Sequence, residues 1–202
     1  MCEVSFSLLE IAMSFFQMST PAAARRLFLG RSGGLVLSGA AVALLAGNDA
    51  LAAKAGGGKA ADIQILNTAI GAELEAIAAY QLGAESKLLS KPVLDLALTF
   101  QGHHKEHVAL LSGTVAKLGG KAAVAKAKYN FPVDQLKAEL DVLKFAASLE
   151  QGAVSAYLGA VPLFGNRDLA KAAASILGDE AMHWAILRQA IGEVPVPSAF
   201  MS

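Results

Sequence analysis

Glu180 and His183 stand one helical turn apart within residues 176–187, with apolar residues three and four positions away. On a helix this spacing puts a carboxylate and an imidazole together on the buried face, where the chemistry open to them is binding a metal ion. A single Glu-x-x-His pair arises often by chance, as a cap or a surface pair. Its weight comes from four further residues, Glu73, His104, His107 and Glu150, each of which interrupts an otherwise apolar stripe.

Those stripes define the elements that must position the six side chains. From residue 62 to about 84, Ile63, Leu66, Ile70, Glu73, Ile77, Tyr80 and Ala84 recur at spacings of three and four, the seam of a bundle helix. A short loop follows, with Pro92 in the first turn of a second helix, where a missing N–H costs little. The second seam is Val93, Ala97, Phe100, His104, His107, Leu111, Thr114 and Leu118, and Gly119 and Gly120 end it. The next dozen residues, to Pro132, show no period. Asp134 is expected to cap a third helix with the seam Leu136, Leu140, Leu143, Ala147, Glu150, Val154, Tyr157 and Val161. After a turn over residues 162–165, Asn166 is expected to cap a fourth helix carrying Leu169, Ala173, Ile176, Glu180, His183, Leu187 and Ala190. Gly192 ends it, and residues 193–202 are expected to form an extended tail packed on the outside.

The two halves of this pattern repeat. At offsets of 76 or 77 residues, Glu73 falls on Glu150, Tyr80 on Tyr157, Phe100 on Ile176, His104 on Glu180, His107 on His183 and Leu111 on Leu187. The expected fold is therefore all-α: two duplicated antiparallel helical hairpins, joined by a long crossover between helices two and three, packed about a pseudo-twofold axis.

Composition agrees. Of 202 residues 54% are hydrophobic and 6% aromatic, enough for one helical core, and no sheet is expected. Lys and Arg (17) balance Asp and Glu (17) and are scattered, which argues against nucleic acid or an anionic membrane surface as partner. Residues 1–52 are expected to be an export signal outside the fold. Ala24, Arg25, Arg26, Leu27, Phe28 and Leu29 resemble a twin-arginine signal, residues 33–47 are apolar and uncharged, and Ala50, Leu51 and Ala52 offer a cleavage site. The apolar run falls short of the roughly twenty residues of a membrane span, so cleavage and a periplasmic mature chain are expected; an uncleaved membrane anchor is the alternative. Met18 is a natural alternative start, and Cys2, the only cysteine, precedes it, leaving no thiol chemistry in the mature chain. Residues 53–61, with three consecutive glycines, read as a linker to a bundle over 62–192.

With these residues in place, the chain resembles the ferritin-like di-metal carboxylate superfamily over roughly residues 60–192, and in particular its exported bacterial branch, related to desiccation-related and rubrerythrin-like bundles. That family's pattern is one Glu from each of two helices and a Glu-x-x-His from each of the other two. Glu73 and Glu150 match the single carboxylates, and Glu180 and His183 match one Glu-x-x-His. His107 matches the other histidine, but His104 occupies its carboxylate position; Glu106 is no substitute, lying roughly 200° around the helix. The resemblance implies a four-helix ferritin-like fold and a site for iron or manganese, two ions in the family pattern, with zinc also compatible with the donors. It further implies redox chemistry with dioxygen or peroxide, in an oxidoreductase of the oxidase or peroxidase type. A non-catalytic metal-binding or stress-protective protein, and a metal-free bundle with a hydrogen-bonded network, stay open as alternatives. Mineral storage is disfavoured, since cage-forming ferritins carry an extra carboxy-terminal helix, and the four cysteines of a rubrerythrin-type electron-transfer module are missing. Homodimerisation is expected to use leftover apolar surface. His103 and Asp179, also matched in the repeat, are expected at a helix boundary, with ligand orientation as their alternative role. Tyr80 and Tyr157 are expected to be core, with passing electrons or protons to a metal as their alternative role, and Trp184 and Phe145 are expected to be structural.

Overall fold

The four apolar stripes become four α-helices in the computed structural model, which describes residues 58–201. They are α1 (Lys59–Glu85), α2 (Lys91–Lys117), α3 (Glu139–Ala160) and α4 (Arg167–Ala190), with 3-10 turns at Val133–Gln135 and Val161–Leu163 and no strand among the described residues. The signal segment, with its arginines, apolar run and cleavage site, lies outside the described residues. Short connections fold α1 against α2 and α3 against α4, and the hairpins meet along α1 and α3. No described helix is long and apolar enough to cross a membrane.

Two large apolar clusters fill the bundle, beside a small one of Ile65, Ala156 and Ala160. One joins Leu66, Ile70, Leu111, Val115, Tyr157, Ala173 and Ile176; the other joins Tyr80, Phe100, Leu143, Ala147, Trp184 and Leu187. In every helix the metal-capable residues fall between the positions that build the two clusters, so a polar layer is held between apolar ones.

Local chemistry sets the ends. Pro92 sits in the first turn of α2, and Asn166 caps α4, its side chain accepting from Asp168 N at 2.8 Å. Gly119 and Gly192 adopt positive φ after α2 and α4, a conformation that glycine reaches without steric cost. Gly120 is required for a second reason. A Cβ there would come within 2.9 Å of Ile63 Cγ2, so glycine lets the crossover lie against α1. Asn67 holds the same segment, donating to Lys121 O at 3.0 Å and accepting from Ala123 N at 2.7 Å.

Several expectations need correction. α1 begins at Lys59, so Lys59, Ala60 and Ala61 are its first turn rather than linker. Asp134 does not cap α3 but lies in the 3-10 turn. The helix starts at Glu139, where the Asp141 carboxylate accepts from Lys137 N and Ala138 N, and Leu140 is 45% exposed instead of on the seam. Val115 takes the buried place expected of Thr114, whose hydroxyl bonds Leu110 O. Ala190 and the tail after Gly192 are exposed rather than packed.

Asp62, in the first turn of α1, is buried and accepts from Gly165 N at 2.8 Å and Asn166 N at 3.2 Å. It joins the beginning of α1 to the α3–α4 turn. Replacing it leaves two N–H groups without their acceptor, so Asp62→Ala should lower unfolding free energy by about 2–3 kcal/mol. Urea denaturation followed by circular dichroism reads this; a change below about 0.5 kcal/mol would show that water replaces the carboxylate.

Candidate metal centre

One helical residue from α1 and one from α3, and a pair from each of α2 and α4, meet in the polar layer. The atoms fall into two overlapping groups: Glu73, His104, His107 and Glu180, and His104, Glu150, Glu180 and His183, with candidate ligand atoms in each within 4.8 Å of one another. All six residues singled out from the sequence are therefore brought together. His104 and Glu180 belong to both groups and stand between them. His104 Nδ1 lies 2.8 Å from Glu73 Oε2, and its Nε2 lies 3.3 Å from Glu150 Oε1. Glu180 Oε1 approaches His107 Nδ1 at 3.2 Å, and Glu180 Oε2 approaches His183 Nδ1 at 3.5 Å.

The tyrosines are more than packing. Each donates its hydroxyl to the carboxylate of the opposite half: Tyr80 to Glu150 Oε1, and Tyr157 to Glu73 Oε1 at 2.5 Å. This crossing leaves Oε2 of each glutamate pointing into the layer. Their matched places in the repeat were the sequence signal, but which carboxylate each meets depends on how the hairpins dock. Phe100 stacks on the His183 ring at 4.0 Å between centroids, fixing its plane.

Outside the histidines sits a third cluster, His103, Asp179 and His183. One oxygen, Asp179 Oδ2, lies 3.1 Å from His103 Nδ1 and 3.3 Å from both His107 Nε2 and His183 Nε2. The orienting role offered as an alternative for Asp179 is what this geometry supports: the carboxylate stands on the Nε2 side of both rings, so Nδ1 of each faces the layer. The His103 side chain is 41% exposed, so this cluster is the layer's opening to solvent.

Electrostatics follow from burial. Desolvation pushes Glu180 up, the Glu150 charge beside it adds to that, and its carboxyl titrates at about 7. Burial alone would lower His107 and His183, but the carboxylates against them prevail, Glu180 and Glu73 at His107 and Glu150 and Glu180 at His183, and both rise to about 9. Burial would raise Glu73 and Glu150 as well; hydrogen bonds from the histidines, His104 foremost, pull both below the usual carboxylate range. Burial, then the neighbouring glutamate, holds Tyr80 and Tyr157 far above an ordinary phenol, so both stay donors.

The fit to a metal ion rests on what is left unpaired. Glu150 Oε2, both Glu180 oxygens and His183 Nδ1 are buried and make no aligned hydrogen bond. Buried polar atoms are nearly always partnered, and here four converge with the nitrogen and oxygen donors that first-row metals take. This is a four-helix bundle with a buried histidine–carboxylate group able to hold metal. A family profile described as a ferritin-like domain matches residues 61–193, and the chain belongs to that family. Solved structures agree on the fold. A conserved hypothetical protein from Mycobacterium tuberculosis superposes with a TM-score of 0.61 at 21% identity, over 71% of this chain and 99% of that one. A dodecameric thioferritin, the bacterioferritin-related protein from Bacteroides fragilis, does so with 0.59 at 20% identity, over 67% and 87%. No curated protein sequence matches the chain.

The protonation pattern predicts how the metal-free protein responds to pH. Glu180, His107 and His183 hold protons more tightly folded than unfolded, so their stabilisation is lost as pH rises, from 4.5 to about 7 for Glu180 and from 6.5 to about 9 for the histidines. Glu73 and Glu150 act oppositely, and theirs is lost as pH falls below 4.5. Chelator-treated protein should melt highest near pH 4.5, where these windows meet, and several degrees lower at pH 9, with added metal removing the alkaline loss because it binds the deprotonated ligands. A flat melting temperature from pH 6 to 9 in chelator would contradict the assigned charges.

Proposed function

We propose that this chain is an exported ferritin-like protein whose buried histidine–carboxylate centre binds iron or manganese and carries out redox chemistry with dioxygen or peroxide in the cell envelope. The observation that carries it is the convergence of buried, unpaired ligand atoms on Glu150, Glu180 and His183. A bound redox-active ion supplies the electrons for such chemistry. The chain's own part is to hold the ligands. Tyr80 and Tyr157 engage one oxygen of each outer glutamate, Asp179 orients two imidazoles, and Phe100 fixes the His183 ring. The apolar clusters on either side exclude water from the layer. Arg25 and Arg26 with the apolar run after them support export by the twin-arginine route, which takes proteins already folded.

A second reading, a non-catalytic or metal-free stress-related bundle, draws on His104. Its ring satisfies Glu73 and reaches Glu150 without any ion, so part of the layer is already neutralised. Self-association is a further expectation, since the Bacteroides protein is described as dodecameric and Leu110, Leu158 and Met182 leave apolar surface exposed here.

Protein purified from its native envelope should carry iron or manganese, lost in His183→Ala, and should consume dioxygen or peroxide above that variant when loaded. Metal without turnover would favour the non-catalytic reading, zinc alone would remove the redox one, and no metal would leave the scaffold. Lysine at both Arg25 and Arg26 should leave the precursor in the cytoplasm, read by fractionation; unchanged export would remove the twin-arginine assignment.

A further inference from the structure

A carboxylate between two metal positions can give one oxygen to each, whereas a neutral imidazole has one N–H and one lone pair. His104 occupies such a position, and its two nitrogens face opposite halves of the centre. Its Nδ1 lies 2.8 Å from Glu73 Oε2. A carboxylate oxygen only accepts, so without metal each nitrogen donates to the carboxylate it faces, and the shorter contact, to Glu73, is the one kept when a metal displaces the other proton. The nitrogen a metal would take is then Nε2, whose contact with Glu150 Oε1 is the longer one at 3.3 Å.

The rest of the layer divides the same way. Glu73 has both oxygens engaged, Oε1 by the Tyr157 hydroxyl and Oε2 by His104. His183 has Nε2 turned outward, 2.9 Å from His103 Nδ1 and 3.3 Å from Asp179 Oδ2, so Nδ1 is the nitrogen that faces inward. Every fully buried unpaired ligand atom at the centre belongs to Glu150, Glu180 or His183. The His104 ring is 1% exposed and lies close to the rings of Tyr80, His107 and His183, so it has no room to swing aside.

We infer that the centre holds one metal ion per chain, bound by His104 Nε2, Glu150 Oε2, Glu180 and His183 Nδ1, and that the His104–Glu73 hydrogen bond closes the second position. This rests on the metal-binding reading above and sharpens it. The family's two-ion arrangement does not fit this chain, because the residue between the two positions has only one lone pair. His107, although it matches His183 in the repeat, is then a positioning residue that acts through Glu73, Glu180 and Asp179. Two nitrogens and two carboxylates suit a single divalent first-row ion.

The test is equilibrium dialysis of the chelator-stripped full chain against Co2+ alone, with visible absorption reporting its coordination. The wild type should bind one ion. His183→Ala and the near-isosteric Glu150→Gln should weaken binding by more than the roughly 10–100-fold typical of outer partners, while His107→Ala should keep one ion with a loss of about tenfold at most. His104→Glu, which restores an oxygen for each half, should bind two. Two ions in the wild type, or His107→Ala as damaging as His183→Ala, would overturn the inference while leaving a metal centre. No Co2+ in any protein would overturn the metal-centre reading and this one with it. Should His104→Glu fold poorly by circular dichroism, the contrast between His107→Ala and His183→Ala decides alone.

Discussion

Taking a carboxylate or imidazolium out of water costs several kcal/mol unless partners replace the lost hydration, and this bundle gathers six such side chains in one layer, five of them buried and His107 half-buried. Two apolar clusters, one on each side, supply the burial that holds the helices together around it. Within the layer, opposite charges and shared protons offset most of the penalty. The remainder falls on atoms of Glu150, Glu180 and His183 that find no partner in the chain.

Duplication explains why so few residues suffice. A pseudo-twofold axis brings each tyrosine to the glutamate of the other half, so two copies of one hairpin complete each other's hydrogen bonds. The departures from symmetry lie where α2 faces α4. His104 stands where the second half has Glu180, and His103 where it has Asp179. Both replacements put an imidazole opposite a carboxylate. A symmetric arrangement would set two carboxylates against each other at each place, a repulsion that needs metal charge to hold. Here the chain supplies part of that charge itself, which ties the altered ligand set to partial self-neutralisation of the site.

Periodicity made the four helices and the six converging side chains legible, since apolar stripes at spacings of three and four persist through α1, α2 and α4 and a polar interruption on such a stripe has nowhere to go but inward. The start of α3 was not legible. Val133, Leu136 and Leu140 continue the apolar pattern, but residues 133–138 are held by crossover contacts and the Asp141 carboxylate rather than by a helical ladder. The role of Asp62 was not legible either, because a carboxylate in a first helical turn is already accounted for by the helix dipole.

The sequence by itself determined the helices, their pairing into duplicated hairpins and which residue types share the polar layer, because each depends on spacing along one chain. It also settled that His104 takes a carboxylate's place. Only the tertiary structure decided which oxygen of Glu73 or Glu150 each tyrosine takes, that Asp179 stands beside histidines from both halves, and that His104 lies closer to Glu73 than to Glu150. Those are distances between helices far apart in the chain, set by how two hairpins dock, and no local propensity encodes them.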